Sequence, residues 1–216
     1  MEESSDAFGF KLNALLNQAG VGPLDPALAT RFQDYLSLLL RWNARVNLTA
    51  IRDVDGILTR HFVESIACAR ALPAGIVTLL DFGSGAGFPG IPIALCRPEI
   101  AVTLAESQGK KAAFLQEAVR VVGISAKVHS GRAELVAAQF DCVVLRAVDR
   151  MEQAIQAAAL LVAPEGWLAL MTTRAAISSA QAAAGSVFCW EAKETHPASG
   201  DRTLLLGRLE RQGINI

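Results

Sequence analysis

No stretch of this chain approaches the ~20 consecutive apolar residues that a membrane-spanning helix needs. Charge, glycine or proline interrupts every long run, although 52% of the 216 residues are apolar. Neither sign of charge dominates: 20 Lys and Arg face 21 Asp and Glu, a net charge of −1. That balance excludes a polybasic nucleic-acid coat or an acidic tail, and leaves room for a local basic patch. Cysteine is sparse. Cys68, Cys96, Cys142 and Cys189 lie among apolar neighbours with no CxxC pair, so they read as reduced core residues rather than a disulfide framework. The opening residues, MEESSDAFGF, are acidic and lack the basic-then-apolar order of a signal peptide. Tyr35 is the only tyrosine, which excludes a Tyr-x-x-x-Lys pair for hydride transfer. These absences predict a cytoplasmic protein with one large domain, or one domain with a small extension.

What is present divides at about residue 76. Before it the chain is helical in pattern. Leu12, Leu15, Leu16 and Ala19 recur at one helical face up to Gly20, Phe32 to Trp42 make a second helix, and Ile57 to Ala71 a third. After it, strand-like runs alternate with helices. The strands fall at 77–82, 101–106, 126–129, 140–146 and 167–171, with Pro164-Glu165-Gly166 as a turn before the last. Helices are expected over Leu115 to Val122, with Ser107 as N-cap and Gly123 as terminator, over Met151 to Ala163, and over Ala175 to Ala184. Two final strands, around 188–193 and 202–209, are joined by a polar turn at Gly200-Asp201. The alternation predicts an α/β fold with a parallel, doubly wound sheet and an antiparallel ending.

The chemistry concentrates at Asp81-Phe82-Gly83-Ser84-Gly85-Ala86-Gly87-Phe88-Pro89-Gly90, between the first strand of the alternating region and a helix. Glycines there let the backbone turn tightly and a ligand approach it. The spacing is GxGxG. The dinucleotide fingerprint GxGxxG requires glycine where Phe88 stands, and Phe88, Pro89 and Pro92 suit a pyrophosphate cradle poorly. Glu106 ends the second strand, 23 positions after Gly83, where a carboxylate can accept both hydroxyls of a ribose. Ala133-Glu134 and, more weakly, Asp141 are further candidates. His61 and the amides Asn43 and Asn47 read as structural hydrogen-bonders, and Trp42 as core. Lys110-Lys111 opens a helix where acids are normally preferred, which favours a role on phosphate.

Longer segments extend the pattern. Trp42-Asn43-Ala44-Arg45-Val46-Asn47-Leu48-Thr49, then Arg60-His61-Phe62-Val63-Glu64-Ser65, and the extension Gly-Phe-Pro-Gly-Ile-Pro after Ala86 resemble the bacterial RsmG (GidB) family. Those proteins are guanine-N(7) methyltransferases of small-subunit (16S) ribosomal RNA. Glu106-Ser107 with Lys110-Lys111, Arg132-Ala133-Glu134, Arg146-Ala147 and Gly200-Asp201-Arg202 continue the match, from about residue 12 to residue 209. The resemblance implies a class I methyltransferase Rossmann-like fold over 66–216, with a helical extension over 1–65 packed on it.

By resemblance the cofactor is S-adenosyl-L-methionine, held at Gly83, Gly85, Gly87, Phe88, Glu106, Ala133, Glu134 and Arg146. Lys110, Lys111, Arg146, Arg174 and Arg202 are the candidates for RNA contact, and no metal is implied. Arg146 otherwise reads as a surface residue paired to Asp149 or Glu134. The family tends to carry Lys-Gly after the fifth strand, where this chain has Thr172-Thr173-Arg174. Guanine N(7) has a free lone pair, so the implied reaction needs no general base and none is assigned. The implied partner is the ribosomal RNA or the 30S particle, with the protein as a monomer. Two other readings share the fold: a nicotinamide-dependent oxidoreductase, which fails at position 88, and a non-catalytic protein that binds RNA or cofactor.

Overall fold

Asp25 and Pro26 start the second helix by two local devices. The Asp25 carboxylate accepts the Leu28 amide at 2.9 Å, and the proline supplies a preset φ where no amide is needed. In a computed structural model, which describes residues 2–194 and 201–210, the N-terminal helices are α1 (Glu2–Gln18), α2 (Pro26–Asn43), α3 (Val54–Ile57) and α4 (Glu64–Ala71). The third expected helix is longer than its pattern suggests. It starts at an Asp53 cap and runs through a π-helical stretch, Leu58–Val63, between α3 and α4. Such stretches concentrate at functional sites.

The alternating region gives β1 (Thr78–Phe82), α5 (Gly90–Cys96), β2 (Ala101–Glu106), α6 (Gly109–Val122), β3 (Lys127–Ser130), β4 (Phe140–Arg146), α7 (Met151–Ala159), β5 (Val162–Thr173), α8 (Ile177–Ala184), β6 (Phe188–Glu194) and β7 (Arg202–Leu209). They form one seven-stranded sheet in the order β3-β2-β1-β4-β5-β7-β6, parallel except where β7 pairs with β5 and β6. Gly123 ends α6 at φ 67, as expected.

Three local expectations are corrected. Helix α7 stops at Ala159, short of Ala163. Strand β5 begins at Val162, and Pro164-Glu165-Gly166 is an irregular part of it, with Glu165 at φ 62 and a register shift opposite Phe140 and Cys142. Gln108 rather than Ser107 holds the cap position of α6 and makes no side-chain cap. The Glu106 carboxylate takes that place, accepting the Gln108 amide at 2.7 Å. Gly200 lies outside the described residues.

Strand alternation splits the interior into two cores. Leu79, Leu104, Val144, Ala169 and Leu206 face the N-terminal helices together with α5 and α6. Leu80, Ala105, Val143, Leu145 and Leu170 face α7 and α8. The first core carries an aromatic stack: Phe62 is fully buried, with Phe32 and Tyr35 each 5.5 Å away between ring centroids and Phe88 at 5.6 Å. Cys68 and Cys142 are buried as expected, but Cys189 is exposed, on the face of β6 opposite the buried Phe188. Among the described residues no helix is long and apolar enough to cross a membrane. Phe62→Ala should cost about 3–5 kcal/mol in urea unfolding, the range for emptying a buried aromatic site; a loss under about 1 kcal/mol would mean that the stack is dispensable.

Candidate functional site

Strand order reverses between β1 and β4, which are neighbours in space while β2 and β3 lie on the other side of β1. A crevice opens at the carboxyl ends of strands at such a point. Here it is a cavity of about 660 Å³, walled by the glycine loop after β1, the end of β2, the turn after β3 and the segment after β4.

Each wall is fixed by hydrogen bonds. Gly83 and Ser84 donate their amides to the Ala105 carbonyl at 3.0 and 2.9 Å, closing the loop onto β2. The Gly85 amide donates to Glu106 Oε2 at 2.9 Å. Gly87 stands at φ 89, and a Cβ there would lie 2.5 Å from Ile91 Cδ1 and 2.7 Å from the Tyr35 hydroxyl, so no other residue fits. The Gly90 amide donates to Asp81 Oδ2 at 3.0 Å, and the Ile91 amide to the Gly87 carbonyl at 2.8 Å. Pro92 has no amide to offer. The first turn of α5 therefore has no free N–H with which to hold a pyrophosphate.

Glu106 is only 6% exposed, although it ends a strand. Each carboxylate oxygen accepts one amide, from Gly85 and from Gln108. A carboxylate has about four acceptor sites, so it retains capacity for two hydroxyls on the cavity side. Ala133 and Glu134 lie in a short 3-10 turn, Ala133–Leu135, on the next wall.

Arg146 lines the cavity and does not follow the alternative reading of a surface residue paired to Asp149 or Glu134. Alternation along β4 turns it toward the N-terminal helices, where it is 9% exposed. Its Nη2 donates to Glu64 Oε2 at 3.0 Å and to the Arg60 carbonyl, and its Nη1 to Ser65 Oγ at 3.4 Å. Arg202 reaches the same acid from the other side, with Nε 3.6 Å from Glu64 Oε1. Glu64, itself 2% exposed, is thus shared by two guanidinium groups. A buried acid needs such partners, because an uncompensated charge there is costly.

His61 lies with its ring 4.7 Å from that of Phe88 and 16° from parallel, and its Nε2 is 2.8 Å from Thr49 Oγ1. Burial, and then the positive charge of Arg146, Arg60 and Arg202, pushes its pKa down to about 3. It is a neutral tie between the π-helical stretch and the Thr49 loop, as its residue type suggested. Asn43 does the matching work, accepting the Leu48 and Thr49 amides at 3.0 and 3.1 Å. Beyond β4, Ala147 and Arg150 hold left-handed backbone angles, φ 48 and 52. Strain of this kind in non-glycine residues clusters at working sites.

Of the residues singled out from the sequence, Gly83, Gly85, Phe88, Glu106, Ala133, Glu134, Arg146 and Lys111 line the cavity. Gly87, Lys110, Arg174 and Arg202 do not. Arg174 follows β5, its amide donating to the Asp201 carbonyl at 2.8 Å beside Arg202.

A family profile described as rRNA small subunit methyltransferase G (GidB) matches residues 29–203. The chain belongs to this family. A "Ribosomal RNA small subunit methyltransferase G" of Xanthomonas campestris pv. campestris (strain 8004) is 39% identical over 187 residues, 85% of this chain and 86% of that protein. One from Stenotrophomonas maltophilia (strain K279a) is 44% identical over 151 residues, 68% of this chain and 70% of its own. Among solved structures, the T. thermophilus 16S rRNA N2 G1207 methyltransferase in complex with AdoMet and guanosine covers 69% of this chain and 39% of its own, with TM-score 0.51 and 18% identity. The mitomycin 7-O-methyltransferase MmcR gives TM-score 0.60 at 13% identity, over 71% of this chain and 55% of its own. At those identities the structures show the fold alone.

In this GidB-family chain the sequence reading missed two buried polar residues, Glu64 and Tyr35. A signal existed for each: both are polar groups inside otherwise apolar helical runs, and such groups need internal partners.

Burial comes first among the causes that raise the Asp81 pKa to about 7, with the Gly90 hydrogen bond opposing it. The folded chain then keeps a proton that the unfolded chain loses near the ordinary carboxylate value. Stability accordingly falls as pH rises from that value to about 7. Asp81→Asn keeps an oxygen for the Gly90 amide and removes this slope. In urea unfolding the variant should gain stability relative to wild type at about pH 8 compared with about pH 4.5. An equal difference at both pH values would show that Asp81 does not titrate in that window.

Proposed function

We propose that this chain transfers the methyl group of S-adenosyl-L-methionine to N(7) of a guanine in small-subunit (16S) ribosomal RNA. One observation carries the reading most directly: the glycine loop presents Glu106 to the cavity with acceptor capacity for a ribose, while α5 has no amide left for a phosphate. An adenosine without a pyrophosphate suits that pair of facts, and membership of the rRNA small subunit methyltransferase G family supplies the substrate class. The same facts weigh against a nicotinamide dinucleotide.

The cofactor supplies an electrophilic methyl on a sulfonium, and this chain's residues supply position. Gly83, Gly85 and Phe88 line the cavity beside Glu106, which would hold the ribose, and Ala133 with Glu134 would border the base, while Gly87 keeps the loop in register. Arg146, tied to Glu64, lines the cavity as a fixed cation that would be available to the cofactor or to RNA. Guanine N(7) attacks with its own lone pair, so no side chain has to remove a proton. The His61 pKa near 3 agrees with that demand, because a ring so hard to protonate is a poor base. Holding donor and acceptor in line can account for about 7–11 kcal/mol of barrier.

Residues 66–216 are proposed to carry the transfer, with 1–65 packed on them. Lys111 at the cavity rim, together with Lys110, Arg174 and Arg202, is proposed to meet RNA phosphates, with Arg174 standing in for the family's lysine. The protein acts in the cytoplasm as a monomer on the RNA or the 30S particle, and a guanine splayed from a loop gives N(7) access to the methyl.

The test is transfer of labelled methyl from S-adenosylmethionine to small subunits from cells lacking this protein, followed by digestion. Label should appear in one guanine as the 7-methyl product. Glu106→Gln should weaken cofactor binding about tenfold or more without changing that product. Label at a different atom or base would contradict the N(7) assignment, and a Glu106→Gln protein with wild-type affinity would contradict the ribose role.

A further inference from the structure

The cofactor loop is held from the sheet side by Glu106 and Asp81, but a third grip comes from the opposite side. Tyr35, in α2, donates its hydroxyl to the Ala86 carbonyl. That carbonyl belongs to the residue between Gly85, whose amide is bound by Glu106, and Gly87, whose missing Cβ leaves room for the phenol. The two sides of the loop are therefore clamped within two residues of each other, one by the sheet and one by an N-terminal helix.

The phenol has no freedom to do anything else. Tyr35 is fully buried. Its ring lies 5.5 Å from Phe62 at 8° from parallel, 5.2 Å from Phe88 and 6.5 Å from Phe114. Burial, and after it the charge of Asp81, raises its pKa well above the ordinary phenol value, so the hydroxyl remains a donor across the working range of pH. Phe88, a cavity-wall residue, is held on another side by the ring of His61 from the π-helical stretch. Tyr35, Phe62 and His61 all come from the N-terminal helical segment, and all converge on one loop.

We propose that Tyr35 is a positioning residue for the cofactor loop, so that the N-terminal helices set affinity for the methyl donor rather than merely covering the sheet. This rests on the reading of the cavity as an S-adenosylmethionine site. Removing the hydroxyl leaves the Ala86 carbonyl buried without its partner and lets the loop sample other conformations, from which the cofactor must reselect the competent one.

The experiment compares the full-length wild type, Tyr35→Phe and a control, Trp42→Phe. The control lies on the same helix but removes a different hydrogen bond, from Trp42 Nε1 to Glu117 Oε2 at 2.9 Å, away from the loop. Three quantities are read: amide exchange over residues 83–90 in the cofactor-free protein, the Kd for S-adenosylmethionine by calorimetry, and kcat at saturating cofactor. Tyr35→Phe should speed loop exchange and raise the Kd, each about tenfold, with kcat within about twofold of wild type. Trp42→Phe should leave loop exchange and Kd at wild-type values even where it lowers the melting temperature. Wild-type exchange and Kd in Tyr35→Phe would overturn the proposal, as would a Trp42→Phe protein that weakens binding equally at equal loss of melting temperature. Failure of the wild type itself to bind S-adenosylmethionine would sink the site reading beneath it, and is distinguished by that measurement alone.

Discussion

The bond from the Gly85 amide to the Glu106 carboxylate joins the two strands whose ends define the cavity. It asks two things of the sequence at once. The backbone after β1 must turn back sharply enough to present an amide to β2, which glycine permits, and β2 must end on an acid rather than an apolar residue. When both hold, one carboxylate anchors the loop, caps the approach to α6 through Gln108, and still faces the cavity with unused acceptor capacity. A loop held by such bonds has less to order when a ligand binds, which lowers the cost of binding.

The rest of the site follows from strand alternation. Asp81 on β1, Glu106 on β2 and Arg146 on β4 occupy the face shared with Leu79, Leu104 and Val144, and so point to the side where the N-terminal helices pack. That side is where Glu64, Tyr35 and His61 wait. Arg146 satisfies a buried acid instead of standing in solvent, and Arg202 from β7 closes the same cluster. The N-terminal helices and the sheet thus share one interior, and the cluster of Glu64, Arg146 and Arg202 is set into it at the carboxyl edge.

Much of this was legible from residues. Short apolar runs alternating with helical stretches placed the strands, and the GxGxG spacing with Phe88 in the wrong place for a dinucleotide pointed to the cavity's chemistry. Other features were not. The π-helical stretch has the same apolar periodicity as an ordinary helix, so nothing in Leu58–Val63 announces it. The irregular start of β5 looked like a turn because Pro164 and Gly166 are turn residues, and the pairing of Val162 and Trp167 with β4 on either side keeps that stretch at the sheet. The partner of Arg146 lies 82 positions away, and no local pattern connects Arg146 with Glu64. Alternation along β4 does foretell the side it faces once the sheet is assembled. Cys189 shows the reverse case: an apolar neighbourhood in sequence, yet a side chain on the face of β6 opposite the buried Phe188.

The account turns on what the cavity is shaped to hold, and a pair of calorimetric titrations asks that directly. The wild-type protein, titrated with S-adenosylhomocysteine and separately with NAD, should give saturable one-to-one binding with the first and no measurable heat of binding with the second. Saturable binding of NAD, or none of S-adenosylhomocysteine by folded protein, would contradict it.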